Sequence, residues 1–283
     1  MKWIHAAVFG SALLATCGLA ELTFTVEATR DGVPIPQSEI KLEPFEFGRS
    51  RNNRGPPSPP PRGHQKVRRA NSKVNSANWC GSVNYTPSSN QIKSVHGVFQ
   101  HPQCSKRNGV NTYPQAAAPW VGIDGETWTS ALLQSGTVCK IDNSTGVVRN
   151  EAWWQWVPEG AYTIASMPAA DDFFEVTINT SSTTAALITI TNLSQRHTYA
   201  ISVTDGPVLA RINADWVVER PYYGSTLAGF ASFTDVWFQE AYAVRTGTGA
   251  SSTLGVLGAN QFQIPNYCTS EEWDDSHLVS WSL

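Results

Sequence analysis

Strand parity, in which residues two apart share a face, collects an unusual set of side chains away from the core. In residues 210–219 the even positions Ala210, Ile212, Ala214, Trp216 and Val218 are apolar, while Arg211, Asn213, Asp215, Val217 and Glu219 form a mostly polar face. Residues 151–157 put Ala152, Trp154 and Trp156 on one face and Glu151, Trp153 and Gln155 on the other. Trp120 and Asp124 share a face across Gly122, and Gln134 lies with Ser130 and Leu132. Carboxylate, carboxamide and indole groups facing away from a core predict a concave binding sheet, where aromatics give contact area and a few polar groups orient a ligand. Two carboxylates on one strand raise glycoside hydrolysis as a candidate chemistry. Asp215 and Glu219 stand roughly 13–14 Å apart at about 3.4 Å per residue, beyond the roughly 5–9.5 Å that paired glycosidase carboxyls need. A lectin-like sandwich that stacks ligands on Trp120 and Trp153 without chemistry is the other alternative.

Other chemistries lack their residues. No Gly-x-Ser-x-Gly, His-Glu-x-x-His, Asp-Thr/Ser-Gly or Gly-x-x-x-x-Gly-Lys occurs. His96 and His101, five apart, fall on opposite strand faces and have no nearby Cys or acid, so neither a metal nor an organic cofactor is expected.

The elements that must position these groups are short strands. Residues 173–179 and 185–190 are rich in β-branched and aromatic residues, and turn clusters at 143–146 and 205–207 recur at a strand-and-turn spacing. With 41% apolar and 15% charged residues in 283, the chain can bury a large core. No amphipathic helix is evident. The pattern predicts an all-β antiparallel double-sheet sandwich over residues 70–283, with little or no helix.

The charge is unevenly distributed. Residues 49–69 carry seven Lys or Arg and no acid, whereas residues 70–283 carry ten bases and seventeen acids, a net of −7. A globular part this acidic is a poor nucleic-acid binder. Residues 1–20 read as a secretory signal, with Lys2, an apolar stretch from Ala6 to Leu14, and Gly18-Leu19-Ala20 as a cleavage site. No later stretch is apolar enough for a membrane anchor, and an extracellular monomer is expected. Removing the signal takes Cys17 and leaves Cys80, Cys104, Cys139 and Cys268, an even set that predicts two disulfides with the pairing open. Sequons stand at Asn84, Asn143, Asn179 and Asn192. Residues 21–69 hold eight prolines, including the run at 56–61, and end in Lys66-Val67-Arg68-Arg69. Polyproline and like charge oppose a packed core there. This segment is expected to be a propeptide that pairs with the acidic domain.

The same segments carry a resemblance. Asn78-Trp79-Cys80-Gly81, Trp120-Val121-Gly122-Ile123-Asp124-Gly125, Ala131-Leu132-Leu133-Gln134-Ser135-Gly136, residues 152–159 and Asn213-Ala214-Asp215-Trp216-Val217-Val218-Glu219 resemble the glutamic peptidases, or eqolisins. These are secreted acid endopeptidases with a concanavalin A-like fold. The resemblance spans residues 78 to 240 and implies polypeptide substrates. By motif position it implies a catalytic pair of Gln134 and Glu219, and a substrate cleft lined by Trp120, Asp124 and Trp153. Glu219 would act as general base and then acid, with Gln134 stabilising the oxyanion. Gln155, counted with these substrate-binding residues, departs from the pattern, since the family usually has Glu there. Losing that charge near the pair predicts a shifted acid optimum, altered specificity or weak activity. The implied alternative is an inactive relative that binds peptide or glycan.

Overall fold

The computed structural model describes residues 22–45, 47, 73–164, 170–247 and 252–283. The expected signal, the proline run at 56–61 and the basic stretch ending at Arg69 lie outside the described residues.

Two large sheets face each other. Across the back sheet the order is Val33–Pro34, Phe24–Arg30, His197–Val203, Ala186–Asn192, Phe173–Thr180, Ile92–Gln100, Val236–Arg245, Leu278–Ser282 and Cys268–Glu272. The front sheet runs Leu42–Phe45, Ala161–Ile164, Val148–Val157, Leu132–Ile141, Gln115–Asp124, Asn213–Glu219, Trp79–Tyr85, Asn260–Gln263 and Lys73–Asn75. Among the described residues pairing is antiparallel except for two short parallel contacts, Asn260–Gln263 with Lys73–Asn75 and Gly229–Phe230 with Gln115 and Ala116. Among the described residues, the helical elements are the short 3-10 turns Gln37–Glu39 and Ser88–Asn90. The expected all-β sandwich is the observed architecture.

Parity decides what each front strand buries. Ala152, Trp154, Trp156, Ala214, Trp216 and Val218 enter the core between the sheets. Trp216 Nε1 there donates to the carbonyl of His96 on the back sheet (2.8 Å), so the large indole is buried without an orphaned N–H. The opposite faces of the same strands carry a second apolar cluster that includes Trp79, Trp120, Trp153 and Val217.

Two disulfides form, Cys80–Cys268 and Cys104–Cys139. The first joins the front strand Trp79–Tyr85 to the back-sheet edge strand Cys268–Glu272 and closes 188 residues of chain. Of the sequons, Asn143 and Asn179 are exposed. Asn84 and Asn192 are buried, donating to Gly255 O and to Asp172 respectively, so the fold leaves no room for a glycan at either.

Residues 22–45 differ from the expectation that 21–69 would pack no core. Phe24–Arg30 pairs along His197–Val203, and Leu42–Phe45 pairs along Ala161–Ile164. The reason is local composition. The basic run begins at Arg49 and most of the prolines follow it, whereas 24–30 alternates as Phe-Thr-Val-Glu-Ala-Thr-Arg and adds a strand to an open edge.

Replacing Cys80 and Cys268 together by Ala is expected to cost about 2–5 kcal/mol, since the bridge restricts a very long unfolded loop. Urea unfolding of the double variant beside the parent measures it.

Candidate active site

Three adjacent front strands bring the polar groups onto one surface. Asn213–Glu219 lies beside Gln115–Asp124, which lies beside Leu132–Ile141. Register opposes Asp215 to Gly122 and Gly122 to Gln134, and in the next strand Gln134 to Gln155. One step along, Val217, Trp120, Gly136 and Trp153 make a second row.

Glycines form the floor of this surface. A Cβ on Gly136 would stand 2.1 Å from Pro119 O and 2.7 Å from Trp120 Cα, so only glycine lets the strands approach between the two indoles. A Cβ on Gly122 would meet Trp120 Cζ3 at 2.8 Å. The Trp120 indole therefore lies over Gly122, the residue opposite Gln134, while its other end reaches Glu219.

Glu219 is 2% exposed. Trp120 Nε1 donates to its Oε2 at 2.9 Å, and Asn78 Nδ2 donates to its Oε1 at 3.1 Å. Two aimed donors are what a buried carboxylate requires. Asn78 is anchored in turn, its backbone N–H donating to Ser76 Oγ and its carbonyl accepting from Arg220 N. Trp79 packs edge-on against Trp120, centroids 5.1 Å apart. Neither Asn78 nor Trp79 was assigned a role from sequence. Asn78 precedes its strand, so parity says nothing of where it points. The available signal was the Asn-Trp-Cys-Gly motif itself.

Gln134 Nε2 donates to Gln155 Oε1 at 3.0 Å, and Gln155 Nε2 donates to the carbonyl of Glu159 at 3.0 Å. Among the described residues Gln134 Oε1 is buried without a partner, as are the indole N–H groups of Trp79 and Trp153. The expectation that Gln155 neighbours the whole pair needs correcting. Its strand is separated from that of Glu219 by two others, roughly 14 Å laterally at about 4.8 Å per strand. Gln155 acts on Gln134, holding its amide, rather than on Glu219.

Asp124 takes φ of 71° at the strand end. Its carboxylate accepts the backbone N–H groups of Arg211 (2.8 Å), Ile212 (2.8 Å) and Asn213 (3.3 Å). Asp124 thus tethers the loop that leads into the strand of Glu219. Trp153 is on the site face as expected but covered, with Phe47 packed edge-on at 4.6 Å. Phe45 packs edge-on against Phe47, and Phe47 bridges to Tyr223. His96 and His101 do not converge: the first pairs with Thr177 Oγ1 and, contrary to the expectation of no nearby acid, stands within 4 Å of Glu175 and Glu240, and the second, fully buried, pairs with Thr137 Oγ1.

A set of buried acids lies beside this site. Burial pushes Asp124 up to about 6, against the lowering effect of its backbone donors. Asp215 is fully buried, and neither of its oxygens has a hydrogen-bond partner. Burial first, and then the nearby Asp124 and Glu126 charges, push it well above the usual carboxylate range. Unfolded, each of these aspartates ionises near 3.8. Above that pH the unfolded chain has released protons that the folded chain still holds, so stability falls as pH rises. For Asp124 the loss runs from about pH 4 through about 6, roughly 1.4 kcal/mol per pH unit. Asp215→Asn is expected to remove its own share of that slope, roughly halving it between pH 4 and 6. Urea midpoints at pH 3, 5 and 7 for parent and variant provide the check, and parallel curves would refute it.

Comparison with known proteins matches residues 77–282 to the Peptidase A4 family. The chain is 30% identical over 233 residues to aspergillopepsin-2 of Aspergillus niger, covering 74% of each chain. It is 29% identical to scytalidopepsin B of Scytalidium lignicola over 107 residues, covering 37% of this chain and 39% of that one. The solved structure of scytalido-glutamic peptidase with a transition state analog inhibitor superposes with a TM-score of 0.62 at 21% identity, covering 73% of this chain and 98% of the other. Aspergilloglutamic peptidase from Aspergillus niger gives 0.52 at 27% identity, covering 60% and 99%. With its sandwich, its motifs in order and a family match over most of its length, the chain belongs to the Peptidase A4 family, the eqolisins, and so is a hydrolase of peptide bonds.

Proposed function

We propose that the chain is a secreted acid endopeptidase that works through Glu219 and Gln134. One observation carries this reading: Glu219 is a buried carboxylate gripped by two N–H donors, with the Trp120 indole extending from it to the glycine opposite Gln134. Ionised, Glu219 takes a proton from a water whose oxygen bonds to the scissile carbonyl carbon. The carbonyl electron pair moves onto oxygen. Gln134 Nε2 has two N–H groups, one of which Gln155 Oε1 accepts, and the second donates to this oxyanion. Glu219 then returns its proton to the leaving nitrogen as the C–N bond breaks, giving a carboxylic acid and an amine. A carboxyl group with a reference pKa of about 4.3 fills both roles most readily in acid.

The unspent buried groups suit a peptide. Trp79 Nε1 and Trp153 Nε1 are donors without partners and Gln134 Oε1 is an acceptor without one. A peptide backbone supplies the complementary carbonyls and N–H groups. In this reading residues 21–69 are the propeptide, the chain is made as a latent precursor, and Phe47 on Trp153 keeps substrate from the cleft. Secretion rests on the leader-like sequence of residues 1–20 together with the two disulfides.

Cleavage of an acid-denatured protein between about pH 2 and 6, after removal of the propeptide, tests the pair. Glu219→Gln is expected to lower kcat by at least about 10²-fold, and Gln134→Ala by about 10²–10³-fold. A folded Glu219→Gln variant of full activity would overturn the reading.

Gln155 yields a separate expectation. Its amide donates to one carbonyl and accepts from Gln134 at any pH. A Glu there must be protonated to donate to Glu159 O, so Gln155→Glu is expected to keep activity well below about 4.3 and lose it earlier than the parent as pH rises. The pH–rate profile of the variant reads this directly.

A further inference from the structure

Phe47 sits in the candidate cleft as a substrate residue would. Its ring stands edge-on to Trp153, centroids 4.6 Å apart, and tilted against Tyr223 at 5.9 Å. Its backbone forms an isolated antiparallel bridge with Tyr223. Peptides bound by strand addition are held in this manner: main-chain pairing gives affinity, and pockets for alternate side chains give specificity. Phe45, two residues earlier, packs on the same group, 4.3 Å from Phe47 and 6.3 Å from Tyr223, as the period of an extended chain requires.

Both walls belong to the site. Trp153 opposes Gly136, which follows Gln134 by two positions on one face of its strand. Trp153 and Gln134 are thus diagonal neighbours, about 7–8 Å apart. A substrate advances about 3.4 Å per extended residue, so a side chain resting on Trp153 lies within about two residues of the bond that Gln134 faces. Tyr223 comes from the other half of the site. It stands four residues beyond Glu219, in the hairpin of Tyr222–Tyr223 and Thr226–Leu227. Lys140, on the strand of Gln134, places its ammonium 4.7 Å from the Tyr223 ring. The hairpin therefore leaves the strand of Glu219 and is held by a cation–π contact to the strand of Gln134. Tyr223 lies in none of the motifs that carry the family resemblance.

The occupant shows what fits. The rings of Trp153, Tyr223 and Phe45 surround Phe47 at edge-on or tilted angles, the geometry that aromatic pairs prefer. Phe45, Phe47 and Tyr223 also pack on the apolar cluster that holds Trp120 and Val138, where a polar side chain would lose its water without replacement. Phe47 is an incomplete ligand. With it in place the indole N–H of Trp153 has no partner among the described residues, a donor that a substrate carbonyl can use. Leaving the cleft does not require the paired strands Phe24–Arg30 and Leu42–Phe45 to separate, because Phe47 lies beyond the last paired residue, Phe45.

We propose that Trp153 and Tyr223 form a subsite that selects an aromatic side chain close to the scissile bond. Tyr223 is its specificity-determining residue and pairs with the extended substrate backbone, while Phe47 stands in for the substrate in the uncut chain. The assignment rests on the peptidase reading of the cleft and names the substrate it takes, an extended peptide with Phe or Tyr within about two residues of the cut.

Two readouts test it. The first needs no chemistry, and every chain in it carries Glu219→Gln. Binding of acetyl-Ala-Ala-Phe-Ala-Ala-amide is followed by saturation-transfer NMR. Phe47→Ala is expected to raise the affinity about tenfold or more, since a site occupied from within binds an added ligand in proportion to its free fraction. Tyr223→Ala added to Phe47→Ala is expected to reverse that gain, whereas Tyr223→Phe, which keeps the ring, retains it. The same peptide with Ser in place of Phe is expected to show no gain. The second readout is the cleavage profile of a mixed peptide library after removal of the propeptide. Phe and Tyr are expected to be enriched at one position near the cut, and Tyr223→Ala to abolish the enrichment at that position. An affinity that Phe47→Ala leaves unchanged would overturn the subsite. So would a Glu219-dependent cleavage profile that Tyr223→Ala does not alter. Binding as expected with no cleavage by any form would support the subsite and overturn the peptidase reading instead.

Discussion

Glu219 is a carboxylate almost wholly removed from water, and much of the front sheet is arranged around it. A carboxylate removed from water is costly unless donors replace its hydration. Here one donor comes from Asn78, ahead of one neighbouring strand, and the other from Trp120, within the neighbour on the opposite side. The strand of Glu219 must therefore be central, and its register must be held on both flanks. A slip by one residue would turn Glu219 into the apolar core. Asp124 guards against that slip by binding three successive N–H groups just where the strand begins. Gly122 and Gly136 then let the indole of Trp120 lie flat between the acid and the amide.

The same burial puts protons into the fold. Asp124 and Asp215 are enclosed where ionisation is unfavourable, and among the described residues no donor reaches Asp215. Such a pair makes the folded state a proton-holding state, most stable in acid. The excess of acids over bases in residues 70–283 acts in the same direction, through repulsion that protonation relieves. The amide pair Gln134–Gln155 is built the opposite way. Its hydrogen bonds carry no charge and do not change with pH, so the orientation of Gln134 is uncoupled from the titration around it.

The N-terminal segment is joined to both sheets, extending the back sheet with Phe24–Arg30 and the front sheet with Leu42–Phe45. From there Phe47 reaches onto Trp153. Edge addition of this kind satisfies the open backbone groups of the sheets while presenting an aromatic side chain to the site.

Much of this was legible in the residues alone. Alternation in 151–157 and 210–219 separated Trp154, Trp156 and Trp216, which enter the core, from Trp153 and Glu219, which do not. An even cysteine count predicted two bridges, although their pairing awaited the fold, since it joins residues 188 positions apart. The site was only partly legible. Parity gave Asp124 a face but not its partners, which are the backbone N–H groups of the loop at 211–213. Asn78 lies ahead of its strand, outside any alternation. Buried sequons at Asn84 and Asn192 looked like exposed ones, because a tripeptide does not report its burial. By itself the sequence determined which side chains each strand offers to each face, since that depends only on the period of two along an extended chain. Tertiary structure alone decided which of those offerings meet, because the contacts of Asn78 with Glu219, Gln134 with Gln155 and Phe47 with Trp153 depend on strand order and register between segments distant in the chain.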